Sequence, residues 1–118
     1  MIVVKRTYDP AATSDGPRFL VDRLWPRGVK KKSLAIRAWL KDVAPSNELR
    51  KWYHHDPAQW DEFRRRYFSE LRKNPASWLP LLEAARHGAG SLLYSSRYVE
   101  HNNAVALKEF LIERLHAD

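Results

Sequence analysis

Apolar residues recur with two different periods along the chain, and the change of period divides it. The first forty residues hold short β-branched or aromatic runs. Ile2-Val3-Val4-Lys5-Arg6 reads as a first strand. Arg18-Phe19-Leu20-Val21-Asp22-Arg23 reads as a second, and its continuous apolar centre suits a strand covered on both faces. Between them, residues 8–17 contain Asp-Pro and Thr-Ser-Asp-Gly-Pro and predict a loop. Pro26 lacks a donor and Gly28 permits positive φ, so Trp25-Pro26-Arg27-Gly28 must leave the strand. Residues 29–33 read as a basic loop. Ala35-Ile36-Arg37-Ala38-Trp39-Leu40 alternates imperfectly and is read as a third strand.

From residue 46 the period becomes helical. Ser46 is placed to cap a short helix over Asn47 to Tyr53. Asp56 can cap the next one, Pro57 fits its first position, and Gln59 sits where a capping box wants it. Trp60, Phe63, Tyr67 and Leu71 then form one apolar stripe, with Arg64-Arg65-Arg66 mostly off it. Asn74-Pro75 opens a helix carrying Trp78, Leu79, Leu82 and Ala85, which Gly88 stops. Ser91-Leu92-Leu93-Tyr94-Ser95 is a buried fourth strand. A polar turn, residues 96–103, leads to a last helix with Val105, Leu107, Phe110, Leu111 and Leu115.

Helix, strand and helix in succession over residues 57–116 imply a parallel crossover. The expected fold is therefore α/β: one domain over residues 1–118, with a four-stranded, mainly parallel sheet flanked by about four helices. In such sheets ligands gather beyond the carboxyl ends of the strands. That rule selects residues 22–28, 41–46 and 95–103.

Composition narrows the chemistry. A chain of 118 residues, 44% hydrophobic with five tryptophans, is long and apolar enough for a core of its own. It has no cysteine, which excludes disulfides, thiolate metal sites and a cysteine nucleophile. The apolar run at the start is too short for a signal peptide, and no run reaches a membrane span, so a cytoplasmic microbial protein with no membrane partner is expected. The net charge of +7 is unevenly spread: residues 1–41 carry ten Lys/Arg against three Asp/Glu, and the remainder carries eleven of each. Such asymmetry suits a face that attracts anions, and equally a well-solvated basic surface.

Within the selected loops, Arg23 and Arg27 flank Trp25. Two guanidinium forks can grip a phosphate or carboxylate while the indole stacks on a ring. The competing reading pairs Arg23 with Asp22 or another internal acid and packs Trp25 into the core. Lys41 could join the anion contacts while Asp42 orients an arginine, or the two could be a solvated ion pair. Arg97 would sit over the end of the fourth strand, beside free amides at a helix start. His101 lies near the same helix start, whose dipole favours a neutral ring able to act as general acid/base; Asn102 is either a ligand contact or a cap. Ser95 or Ser96 with His101 would make a nucleophile and base, but no G-x-S-x-G elbow surrounds them. His54-His55-Asp56 lacks the further ligands a metal site needs. No phosphate loop, dinucleotide fingerprint or zinc signature occurs, so no cofactor is expected.

These phrases together resemble a known family. Val21-Asp22-Arg23-Leu24-Trp25-Pro26-Arg27-Gly28, Trp39-Leu40-Lys41-Asp42-Val43-Ala44-Pro45-Ser46, Glu48-Leu49-Arg50-Lys51-Trp52, the helix with Trp60, Phe63 and Tyr67, and Leu92-Leu93-Tyr94 followed by Glu100-His101-Asn102 resemble the YeaO-like branch of domain-of-unknown-function family 488. The resemblance spans nearly the whole chain. It implies a compact microbial α/β protein with a parallel-type sheet, and carries no activity. The broader family often has cysteines near the last strand; this chain has none, so thiol or metal chemistry does not transfer.

Three functions compete. The leading one is a site for a small anionic or phosphorylated ligand, binding or enzymatic, built from Arg23, Trp25, Arg27, Lys41, Asp42, Arg97 and Asn102, with His101 as acid/base. The second is a nucleic-acid-binding module using the basic first third. The third is a partner-binding protein presenting the aromatic helices of residues 47–73. A monomer and a homodimer fit the sequence equally.

Overall fold

The strands form where β-branched and aromatic residues run between turn-forming clusters, and all of them lie parallel. The computed structural model describes residues 1–117. β1 spans Ile2–Arg6, β2 Arg18–Leu20, β3 Ala38–Trp39 and β4 Gly90–Tyr94, in the spatial order β1-β4-β2-β3. β4 is fixed between its neighbours by register: Val4 lies opposite Leu92, and Phe19 opposite the same residue on the other side. Parallel neighbours require crossovers: α1 (Lys31–Leu34) lies between β2 and β3, α2 (Asn47–Tyr53), α3 (Trp60–Lys73) and α4 (Pro75–Arg86) lie between β3 and β4, and α5 (Asn103–Ala117) follows β4 and packs against the sheet.

Side-chain alternation gives the sheet two unequal faces. Phe19, Val21, Leu92 and Tyr94 join the main core with the buried faces of α3, α4 and α5. Leu20 and Leu93 point the other way, onto Leu34 of α1, Trp25 and Trp39. The stripe read from spacing on α3 is buried as expected: Trp60, Phe63, Tyr67 and Leu71 all lie in the core. Each such side chain contributes about 1.5–3 kcal/mol when fully buried. Ser46 caps α2, accepting from the Leu49 N–H, and Asp56 accepts from the Ala58 N–H. Gln59 does not close the expected box. With its amide nitrogen turned inward, it donates to the carbonyls of Trp52 and Tyr53 instead.

Three elements differ from expectation. The stretch read as a basic loop contains the single turn α1, because Leu34 is drawn under the sheet beside Leu20 and Leu93. Ala35 ends that turn with φ +51°, so strand geometry cannot begin there and β3 shrinks to Ala38–Trp39. β2 stops at Leu20, although the Val21 N–H still donates to Leu93 O at 3.1 Å.

At the amino end of β2 a buried ion cluster closes the sheet. Arg18, 4% exposed, forms an ion pair with Asp15, 7% exposed, and donates from Nε to Leu34 O at 3.0 Å. Lys5 Nζ reaches both Asp15 oxygens at 3.0 and 3.1 Å. Ser91 Oγ donates to Asp15 O at 2.7 Å, binding β4 to the same corner. No helix among the described residues is long and apolar enough to cross a membrane.

Candidate ligand-binding site at the carboxyl ends of the strands

Beyond Val21 the chain turns, and Asp22 becomes the point where three segments meet. Its carboxylate accepts from the Ser95 N–H at 2.8 Å and from Asn103 Nδ2 at 3.1 Å. Its carbonyl accepts from Trp39 Nε1 at 2.8 Å. One residue thus ties together the ends of β3 and β4 and the start of α5. Burial pushes the Asp22 carboxyl pKa up, against the opposing pull of the Asn103 amide and the Ser95 N–H.

The next residues wrap a wall around it. Arg23 Nη2 donates to Ala44 O and Pro45 O at 3.3 and 3.4 Å, while its Nε is buried and unpartnered. Trp25 donates to Val29 O at 2.7 Å and stands edge-on to Trp39, centroids 5.5 Å apart. Gly28 takes φ +77°, the left-handed value its position demanded. Leu24 is left 65% exposed at the rim.

These residues line a half-open cavity of about 380 Å³. Its apolar lining comes from Leu24, Trp25 and Pro26, from Ala44 and Pro45, and from Tyr53 of α2 and Phe63 of α3. Asp22, Ser95 and Asn103 supply polar groups; Arg23, Arg27 and Arg50 supply positive charge. Among the described residues none of these three arginines forms a salt bridge, whereas Arg18, Arg64, Arg65 and Arg66 all do. The loop after β1 also contributes, through Tyr8, whose hydroxyl donates to Arg27 O at 3.1 Å. Arg6 fastens the loop after β4 by donating to Ser96 O and Ser95 O at 2.9 and 3.1 Å.

Arg97 and His101 lie in a second, neighbouring recess with Tyr98 and Glu100, and Tyr53 and His55 line both hollows. The His101 ring stacks on Trp60 at 4.8 Å, and its carbonyl accepts from Tyr53 Oη. His55 stacks on Tyr98 at 4.5 Å; burial, then the charge of His54, lowers its pKa. His54 and His55 both take positive φ, +48° and +56°, a strained pair for residues with a Cβ.

Of the remaining residues singled out from the sequence, Lys41, Asp42 and Asn102 line neither hollow, whereas Ser95 and Ser96 line the first. Lys41 lies over the Trp39 ring at 4.6 Å, and Asp42 is exposed in a 3₁₀ turn. Asn102 is buried. It donates to Tyr98 O and Val99 O, and its oxygen caps α5 by accepting from the Val105 N–H at 3.0 Å. Ser95 Oγ pairs with Thr7 Oγ1, and Ser96 Oγ accepts from the Tyr98 N–H. Among the described residues no three His, Asp or Glu side chains converge to hold a metal. Sequence reasoning missed Tyr8, Arg50, Tyr53 and His55. The motif Glu48-Leu49-Arg50-Lys51-Trp52 was visible, but which face of α2 meets the sheet end depends on packing.

The family model described as the inactive DUF488-N3 subclade matches residues 1–118. The chain is 44% identical over 110 residues to the uncharacterized protein YeaO of Escherichia coli, covering 93% of this chain and 96% of that one. It is 40% identical over 108 residues to the uncharacterized protein Rv3073c of Mycobacterium tuberculosis, covering 92% and 91%. No solved structure matches.

Proposed function

The chain belongs to the inactive DUF488-N3 subclade, and from that premise we propose that it binds a small anionic molecule without transforming it. The observation that carries this reading is the set of three arginines, Arg23, Arg27 and Arg50, that form no salt bridge among the described residues and line one half-open cavity. Arg23 is the partly buried one, with an unpartnered Nε, and an arriving anion would give it the charged partner it lacks; Arg27 and Arg50 are exposed and would add attraction at the mouth. The volume, about 380 Å³, is at the lower end of small-molecule clefts. The arrangement lacks the parts of a hydrolase. Ser95 is engaged by Thr7, and His101 is stacked on Trp60 beyond the Tyr53–His55 wall.

The subclade's description as inactive agrees with a pocket that holds rather than reacts. Two of the cations behind the basic first third, Lys5 and Arg18, are spent on Asp15, which weakens the nucleic-acid alternative. Titration with inorganic phosphate and pyrophosphate, followed by calorimetry, tests the reading. Saturable binding that falls at least tenfold in Arg23→Gln supports it. Absence of binding at low salt, or tighter binding to single- or double-stranded oligonucleotides than to pyrophosphate, contradicts it.

A further inference from the structure

His55 lines the same cavity as the three arginines, yet it forms no hydrogen bond or ion pair among the described residues. Its contacts are ring faces. Tyr98 stacks on it at 4.5 Å, and Tyr53 meets it at a tilt, centroids 5.6 Å apart. The backbone is bent to put it there. His54 closes α2 and His55 follows, and both hold positive φ. Two successive residues with a Cβ keep left-handed backbone only where the surroundings impose it, and such strain gathers at ligand sites. The His55 ring thereby returns to Tyr53, two residues earlier, at the boundary of both hollows.

The arginines of the cavity stay charged at any working pH, whereas an imidazole gains or loses its charge near neutrality. Burial, then the charge of His54, disfavours the protonated ring. Its own segment adds Tyr53, which burial keeps as the neutral phenol, and Asp56. The turn after β4 adds Arg97, Tyr98, Glu100 and His101. The cavity side adds Tyr8, Asp22, Arg23, Arg27 and Arg50. No carboxylate in this set pairs with His55. Asp56 accepts from the Ala58 N–H, and Asp22 from the Ser95 N–H and Asn103 Nδ2. A ring with four arginines and two histidines in its surroundings thus lacks an acid partner, and an anion in the cavity supplies one. The effect needs no particular ring orientation, because a charge on the ring acts on the anion through space.

Resting on the anion-site reading above, we propose that anion binding in this cavity is linked to proton uptake by His55. The bound anion draws a proton onto the ring, and by reciprocity acidification tightens binding. His55 is then a fourth cation of the site, present when the anion is bound and largely discharged when it is not.

The test uses sulfate on the full chain at low salt, because sulfate stays a dianion near neutrality whereas phosphate takes up a proton of its own. The His55 ring resonances are followed against pH with and without saturating sulfate. Their midpoint is expected to rise by about 0.5–1 unit, and calorimetry to show sulfate bound about two- to sixfold more tightly at about pH 5.5 than at about pH 7.5. Asp22, whose pKa is raised, also takes up a proton in acid and favours anion binding there, so the His55 midpoint decides and the affinity alone does not. His55→Asn, a residue that tolerates the left-handed backbone, is expected to lose most of the pH dependence. His101→Asn, which removes the ring stacked on Trp60, is expected to keep it. Saturable sulfate binding with an unmoved His55 midpoint, or a pH dependence that survives His55→Asn in full, would overturn the inference and leave the anion site standing. No sulfate binding at either pH would overturn both.

Discussion

Asp15 and Asp22 stand at opposite ends of β2, and the two carboxylates are treated in opposite ways. At the amino end, Asp15 has a full set of partners: Arg18, Lys5 and the Ala12 N–H. Its pKa is held below the ordinary value by the Ala12 N–H, with Lys5 and Arg18 adding to that pull against burial. At the carboxyl end, Asp22 has hydrogen bonds but no ion pair; burial wins and raises its pKa. The arginines follow the same division, Arg18 closed onto its acid and Arg23 left with a buried, unpartnered Nε. A closed ion cluster holds a fold together, whereas an open one keeps capacity for a ligand.

The largest expected effect of breaking the comparison is on stability. Asp15→Ala leaves the Arg18 guanidinium buried without its acid and should cost about 3–5 kcal/mol, measured by urea unfolding. Asp22→Asn, by contrast, should cost only about 1 kcal/mol, because no ion pair is lost. Asn102→Ala comes between them. It removes the α5 cap and two bonds that shape residues 98–101, for about 2 kcal/mol at the upper end of cap losses, and should leave phosphate binding unchanged.

The pH dependence separates the two ends by sign. Asp15 binds fewer protons folded than unfolded, so its contribution is complete above the ordinary value of 3.8 and is lost as pH falls through its lower folded value. Asp22 binds more protons folded than unfolded. Its contribution is largest below 3.8 and is lost as pH rises through that value to the raised one. Unfolding free energies measured across the acidic range should therefore rise less steeply with pH in Asp15→Asn, and more steeply in Asp22→Asn, than in the wild type. The smallest effect sharpens the map of the mouth. Arg27 is exposed, and Arg27→Gln should weaken phosphate binding only a few-fold while leaving stability within about 0.5 kcal/mol, as for most surface changes.

What the sequence made legible was local. The α3 stripe, the Ser46 cap and the Asp56-Pro57 start rest on neighbours three or four residues apart, and the structure has them as read. The parallel sheet followed from the order of helix and strand. The short β3 and the turn α1 did not, because Leu34 is committed only by the sheet it packs under. The candidate site divides in the same way. The strand-end rule selected the loop of Asp22 and Arg23, and the structure places it against the cavity. Chain order could not say on which side of Tyr53 and His55 the turn after β4 would lie. Arg97 and His101 fall on the far side, and Arg50 enters from a helix with no signal pointing to the sheet.

The central claim is that the carboxyl end of the sheet is open to an anion and the amino end is not. The most direct measurement follows the arginine Nε–H resonances while inorganic phosphate is added at low salt. The Arg23 signal should shift and saturate, with smaller shifts for Arg27 and Arg50, while Arg18 stays in place. A titration in which Arg23 does not move, or in which Arg18 moves as much, would contradict the account.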